Sequence, residues 1–283
     1  MPTSYPNKCG EKLFFKGIIV LVVLITFVAG TRIAGGQELE PRTYANIPVG
    51  MNFLAVGYVH SKGNILLDPS IPIEDLNAKI DSTFLRYTRS LSLFDRTAKL
   101  KLRLPYAWGQ YEGSVEGVSA ERNISGIGDA ALGLDISFIG APALSNNAFS
   151  QYHQKTIVGA SVRVVAPTGN YDNTKVINIG SNRWAFKGEL GASRQLGNWT
   201  LELAGAFLAF TENSDFLDGR TLSQAPLYSV KAHAIYTFKP GFWLGVGAGY
   251  GEGGQTTIEG NKRDTYQRNL RFGGVLSYPV AKN

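Results

Sequence analysis

An alternation of apolar and polar residues recurs along this chain from residue 52 to residue 278, and a segment with that period can hide its oily face only by joining a sheet. The clearest instance is Ala98-Lys-Leu-Lys-Leu-Arg-Leu-Pro-Tyr106, with Ala98, Leu100, Leu102, Leu104 and Tyr106 on one side and Lys99, Lys101 and Arg103 on the other. The pattern returns in 128–138, 156–166, 199–207 and 228–238, and in 242–250, where the second face is mostly Gly245, Gly247 and Gly249. Weaker examples lie at 52–60, 81–91, 184–193 and 269–278, which makes ten expected strands. After residue 36 no sustained run places apolar residues at helical spacing.

Most of these segments are 9 to 11 residues long. That is the length a tilted strand needs to cross a bilayer, against about 5 to 6 for an ordinary soluble strand. The connections support the same reading. Gaps 61–79, 107–127, 167–183, 208–227 and 251–268 are long, whereas 92–96, 194–198 and 239–241 are tight and 139–155 is intermediate. Short turns on one side and longer loops on the other are the habit of an outer-membrane barrel whose N-terminus is periplasmic. Aromatics near strand ends suit its interfacial girdles: Tyr106, Trp108, Trp184, Phe186, Trp199, Tyr236, Phe238, Phe242, Trp243, Tyr250 and Tyr278. A secreted β-sandwich also alternates, but with shorter strands and no reason for loops to alternate in length. The expected fold class is therefore all-β, an antiparallel transmembrane β-barrel.

Residues 1–36 read as an export signal and residues 37–283 as the barrel. Lys8, Lys12 and Lys16 precede the uncharged run 17–31, which is short of the roughly 20 apolar residues of a spanning helix. Ala34 and Gly36 set small residues for cleavage before Gln37. The expected location is the bacterial outer membrane, with membrane lipid as partner. Cys9, the single cysteine, lies in the signal, so the mature chain holds no disulfide framework. Removing the signal leaves 24 basic against 21 acidic residues, too even a balance to suggest a nucleic-acid partner.

Several segments resemble one known family: 39–54, Asp68-Pro-Ser-Ile-Pro-Ile-Glu-Asp75, Leu104-Pro-Tyr106, Ala166-Pro-Thr-Gly-Asn-Tyr171, Asn178-Ile-Gly-Ser-Asn-Arg-Trp184 and Gly197-Asn-Trp-Thr200. Over roughly residues 38–278 the chain is similar to the phenol-degradation meta-pathway outer-membrane family, whose members are often described as transporters. The resemblance implies a barrel of twelve strands in a complete member, continuing past Arg271-Phe-Gly273 through one more hairpin. This chain stops at Asn283, which leaves a ten-stranded closure and a truncated or atypical end both open. The resemblance also implies small hydrophobic or aromatic solutes.

Catalytic chemistry has little to stand on. His60, His153 and His233 lie far apart, and no His-x-x-x-His or Gly-x-Ser-x-Gly motif occurs. Gly245-Val-Gly-Ala-Gly-Tyr-Gly251 has no helix after it and so is no dinucleotide loop; small residues there relieve crowding inside a narrow barrel or let a loop fold inward. No enzyme activity, cofactor or metal is expected. With the aliphatic faces toward lipid, the expected lumen-lining residues are Arg86, Lys99, Lys101, Arg103, Asp129, Asp135, Arg163, Lys187, Glu189, Glu202, Lys231, His233 and Arg271. Such a wall lines a water-filled pore or interlocks as ion pairs. The first case is a passive channel for small solutes, with anions favoured by the excess of Lys and Arg. The second is a non-conducting barrel that serves as a surface scaffold.

Overall fold

The computed structural model describes residues 20–29, 39–64, 73–115 and 118–279. Its strands are β1 (Val20–Ala29), β2 (Asn52–Asn64), β3 (Ile73–Leu93), β4 (Arg96–Val115), β5 (Val118–Ile127), β6 (Ala131–Ile139), β7 (Thr156–Val165), β8 (Ala185–Leu196) and β9 (Trp199–Phe210). They continue as β10 (Asn213–Phe216), β11 (Arg220–Gln224), β12 (Leu227–Lys239), β13 (Phe242–Gly253), β14 (Thr256–Ile258), β15 (Asn261–Lys262) and β16 (Gln267–Pro279), and one short helix, α1, covers Asn146–Phe149.

The main sheet is antiparallel throughout and curls into a half-barrel in the order β1-β16-β13-β12-β9-β8-β7-β6-β4-β3-β2, with β5 added to β4. All ten segments expected from periodicity overlap strands of this path. Residues 128–130 are the main shortfall at a strand start, because their polar groups turn to a loop: Ala130 N donates to Thr168 Oγ1 at 2.9 Å. Val20–Ala29, the expected signal core, pairs with β16 from Val20 opposite Pro279 to Ala29 opposite Leu270.

The two faces separate as the alternation demands. Leu102, Leu132, Val162, Leu203, Val230, Val246 and Phe272 are exposed on the convex side, whereas Lys99 is 7% exposed and Glu189 6%. Large apolar side chains left facing outward around a whole sheet need lipid rather than water around them. Aromatic rings band one end of this surface: Trp199, Tyr236, Phe238, Phe242 and Tyr278 follow one another at centroid distances of 4.7 to 5.4 Å. Toward the other end, Trp108 lies 6.3 Å from both Tyr58 and Tyr106. Trp243 departs from the expected girdle. It is 8% exposed and lies on the inner face, opposite Thr237 and Ser277.

Turn chemistry sorts the two rims. Between β12 and β13, Pro240 precedes Gly241 at φ 80°, the pattern of a type II turn, and between β8 and β9 Gly197 takes φ 58°. Between β3 and β4, Phe94 and Asp95 adopt φ 51° and 56° without being glycine. The intermediate gap expected at 139–155 is the connection 140–155 and folds under this rim, where Thr97 N donates to Ala141 O at 3.1 Å and Ala143 N to Asp95 O at 3.1 Å. At the opposite rim β3, β4 and β5 run on as a ribbon, with Ala78 and Tyr111 buried against Ile80, Ile124 and Ile177. The long loops there also form a second sheet, β10-β11-β14-β15, which periodicity did not suggest.

Candidate functional site

The concave face holds a segment of the chain itself. Residues 39–50 enter at the short-turn rim, where Gly50 N donates to Ser90 O at 3.0 Å and Met51 N to Ser90 Oγ at 2.9 Å. Val49 N donates to Leu144 O at 2.9 Å, and Asn46 Nδ2 to Pro142 O at 3.2 Å, so the 140–155 connection is the bracket for this segment.

Farther in, the wall is carved to fit. The register aligns Ser137, Gly159, Gly191 and Ala204 across β6 to β9, a shelf almost without side chains. Tyr44 lies on it: a Cβ at Gly191 would come 2.3 Å from its ring, and one at Gly159 2.7 Å. Its hydroxyl donates to Glu189 Oε1 at 3.0 Å. Burial and the neighbouring carboxylate both push the Tyr44 hydroxyl well above its ordinary range, so it remains a donor. Gly249 plays a similar part for Leu39, which would lie 3.0 Å from an added Cβ.

Polar contacts complete the seating. Lys99 Nζ donates to Thr43 O at 2.8 Å, and Arg42 N donates to Glu202 Oε2 at 2.8 Å. The Arg42 guanidinium donates to Thr237 Oγ1 at 2.9 Å and stacks 5.0 Å from the ring centroid of Trp243, which explains why that indole turns inward. Burial lowers the Arg42 pKa while Glu202 opposes the shift.

Glu40 sits among cations. Its carboxylate contacts the Arg86 guanidinium, with Lys101 Nζ at 3.9 Å and Arg163 at 4.0 Å. Burial alone would raise the Glu40 pKa, but Lys101, Arg86 and Arg163 outweigh it and hold the carboxyl far below its usual range.

The remaining wall charges connect to this cluster. Lys101 pairs with Asp135 at 2.6 Å, Lys187 with Glu189 at 3.1 Å and Lys231 with Glu189 at 2.9 Å, while His233 lies 3.8 Å from Glu202. The Arg103 guanidinium stands over Phe84, 4.8 Å from its centroid. Arg271 occupies the row of Gly249 and Lys231. Asp129 does another job: outside the strands, it accepts from Gly169 N at 2.9 Å and from Ser181 N and Oγ at 2.8 and 2.6 Å, and so clamps the β7–β8 loop. Glu40, Arg42 and Tyr44 are absent from the set expected by alternation, because they precede the first strand of that pattern and follow no period.

A half-barrel that is oily outside, charged inside and banded by aromatics has the fold of an outer-membrane channel. The chain belongs to the family described as "Putative MetA-pathway of phenol degradation", whose model matches residues 64–283. Among solved structures it is similar to an outer membrane channel from Pseudomonas putida F1, at 23% identity and a TM-score of 0.63, covering 85% of this chain and 100% of that one. A weaker likeness, at 9% identity and a TM-score of 0.40 over 93% of this chain and 87% of the other, is to the monoaromatic hydrocarbon channel CymD. The outer membrane channel DcaP of Acinetobacter baumannii matches at 11% identity and a TM-score of 0.35, over 91% and 71%. No curated protein matches the sequence.

Proposed function

We propose that this protein is a passive channel of the bacterial outer membrane, exported by residues 1–36, that admits small solutes along a cationic inner wall. The observation that carries this reading is the separation of faces: exposed Leu102, Leu132 and Leu203 outside, and Arg86, Lys101, Arg163 and Lys231 inside against the 39–50 segment. Membership of a family described by phenol degradation supports small hydrophobic or aromatic compounds as cargo. Transport needs no catalytic group, and none is assigned.

One feature favours a rival. Residues 39–50 fill part of the lumen, as they would in a closed barrel that serves as a scaffold. Planar-bilayer recording separates the two. A channel gives discrete current steps, and liposomes carrying it swell faster in aromatic acids than bare liposomes; an absence of steps, in the intact protein and in one lacking residues 39–50, would leave the scaffold.

A further inference from the structure

The inner wall places cation against cation. Arg86 lies directly opposite Arg103 across β3 and β4, and Arg163 directly opposite Lys187 across β7 and β8. Like charges facing each other across strands are destabilising unless an anion lies among them. Among Arg86, Lys101 and Arg163 lies the Glu40 carboxylate, which belongs to the inserted segment and not to the wall, while Lys187 is held by Glu189 of the wall. Asp135 holds Lys101 from the other side at 2.6 Å, and the occupant of the site, the Glu40 side chain, carries a single negative charge.

We propose that Arg86, Lys101 and Arg163 form a binding site for the carboxylate of an entering solute, which Glu40 occupies at rest. A solute carboxylate reaching these groups replaces Glu40 like for like, because guanidinium and ammonium groups donate charge-assisted hydrogen bonds to any carboxylate alike. Displacement frees the inner end of the segment, residues 39–41, while Arg42, Tyr44 and Asn46 keep their seats on Glu202, Glu189 and Pro142. The inference rests on the channel reading and adds to it a solute class, monocarboxylates, and a gate.

The test is planar-bilayer recording of the protein purified from outer membranes, with benzoate as probe, benzamide as its uncharged counterpart, and inorganic phosphate. Benzoate is expected to raise the open probability of the wild type saturably, with benzamide and phosphate inert. Glu40→Gln is expected to open about tenfold more often without benzoate, the shift produced by losing a charge-assisted hydrogen bond, and to be indifferent to it. Should that variant fail to insert, Glu40→Asp, which withdraws the carboxylate by one methylene, is expected to open at lower benzoate than the wild type.

Three results overturn the proposal. If the protein lacking residues 39–50 conducts while the wild type ignores benzoate and Glu40→Gln stays as closed as the wild type, the gate is wrong and the channel stands. A phosphate effect equal to that of benzoate rejects the carboxylate site. Silence from every form, the deletion included, rejects gate and channel together.

Discussion

Tyr44 rests where two neighbouring strands carry no side chain, so the cheapest way to disturb the segment is to add one methyl group. Gly191→Ala would place a Cβ 2.3 Å from the Tyr44 ring and 2.9 Å from Ala204 Cβ. Overpacking of this kind costs about 1 to 3 kcal/mol, and most of it is expected to fall on the segment rather than the wall. Limited proteolysis should then cut near Arg42 faster in the variant, while denaturant resistance of the barrel changes little; equal cutting rates would contradict the seat. The two faces of β4 give a second contrast. Leu102→Arg, at a position 38% exposed on the convex side, should lose roughly 2 to 4 kcal/mol in vesicle unfolding, whereas Lys101→Gln should lose less. Glu40 sets the acid limit of the segment. Its folded pKa lies below the ordinary 4.5, held there by Lys101, Arg86, Arg163 and Lys231, so the ionised carboxylate stabilises the segment above that ordinary value. That stabilisation is lost only as pH falls through the depressed folded value. Conductance is accordingly expected to stay unchanged between about pH 7 and pH 5, and a rise in that window would point to another group.

Hairpins show what alternation reveals and what it leaves out. Lys99 against Leu100, or Glu202 against Leu203, is legible because one face must be oily, and period two then assigns every neighbour. Trp243 is not legible this way. It adjoins Phe242, and either aromatic suits a girdle until Arg42 supplies the inner one with a cation. The 39–50 segment is irregular, so no period points to it; its only trace in the sequence is the cluster of family-like residues before residue 52. The β10-β11-β14-β15 sheet is hidden for a related reason, since strands of 2 to 5 residues are too short to show alternation. The turn between β3 and β4 offers a gain. Phe94 and Asp95 both hold positive φ, a conformation that Asn-Gly adopts with less strain. Replacing Phe94-Asp95 by Asn-Gly should stabilise the hairpin by about 1 kcal/mol, read as a higher denaturant midpoint.

At the scale of the molecule, the band of aromatics and the apolar wall agree in height. From Phe238 to Tyr228 along β12 the chain covers roughly 33 Å of strand, which at a tilt of about 40° rises about 25 Å, the height of an outer-membrane apolar band. The fate of Val20–Ala29 is settled outside the sheet. If residues 1–36 are an export signal, protein isolated from outer membranes should begin at Gln37 by intact mass, and recovery of a chain that retains Val20 would assign β1 to the finished wall. Either result leaves in place the lumen contacts of residues 39–50 to Arg86, Lys99, Glu189 and Glu202 on β3, β4, β8 and β9.

The inserted segment is continuous with β2 through Gly50 and Met51. A stopper leashed to the bottle cannot drift away when it is pulled. On a short leash a displaced Glu40 stays near its cations at a local concentration in the millimolar range, so reclosure is a unimolecular event whose rate is the same in a sparse membrane and a crowded one. Only a guest present at comparable concentration holds the passage open, and the pore seals itself once that supply runs out.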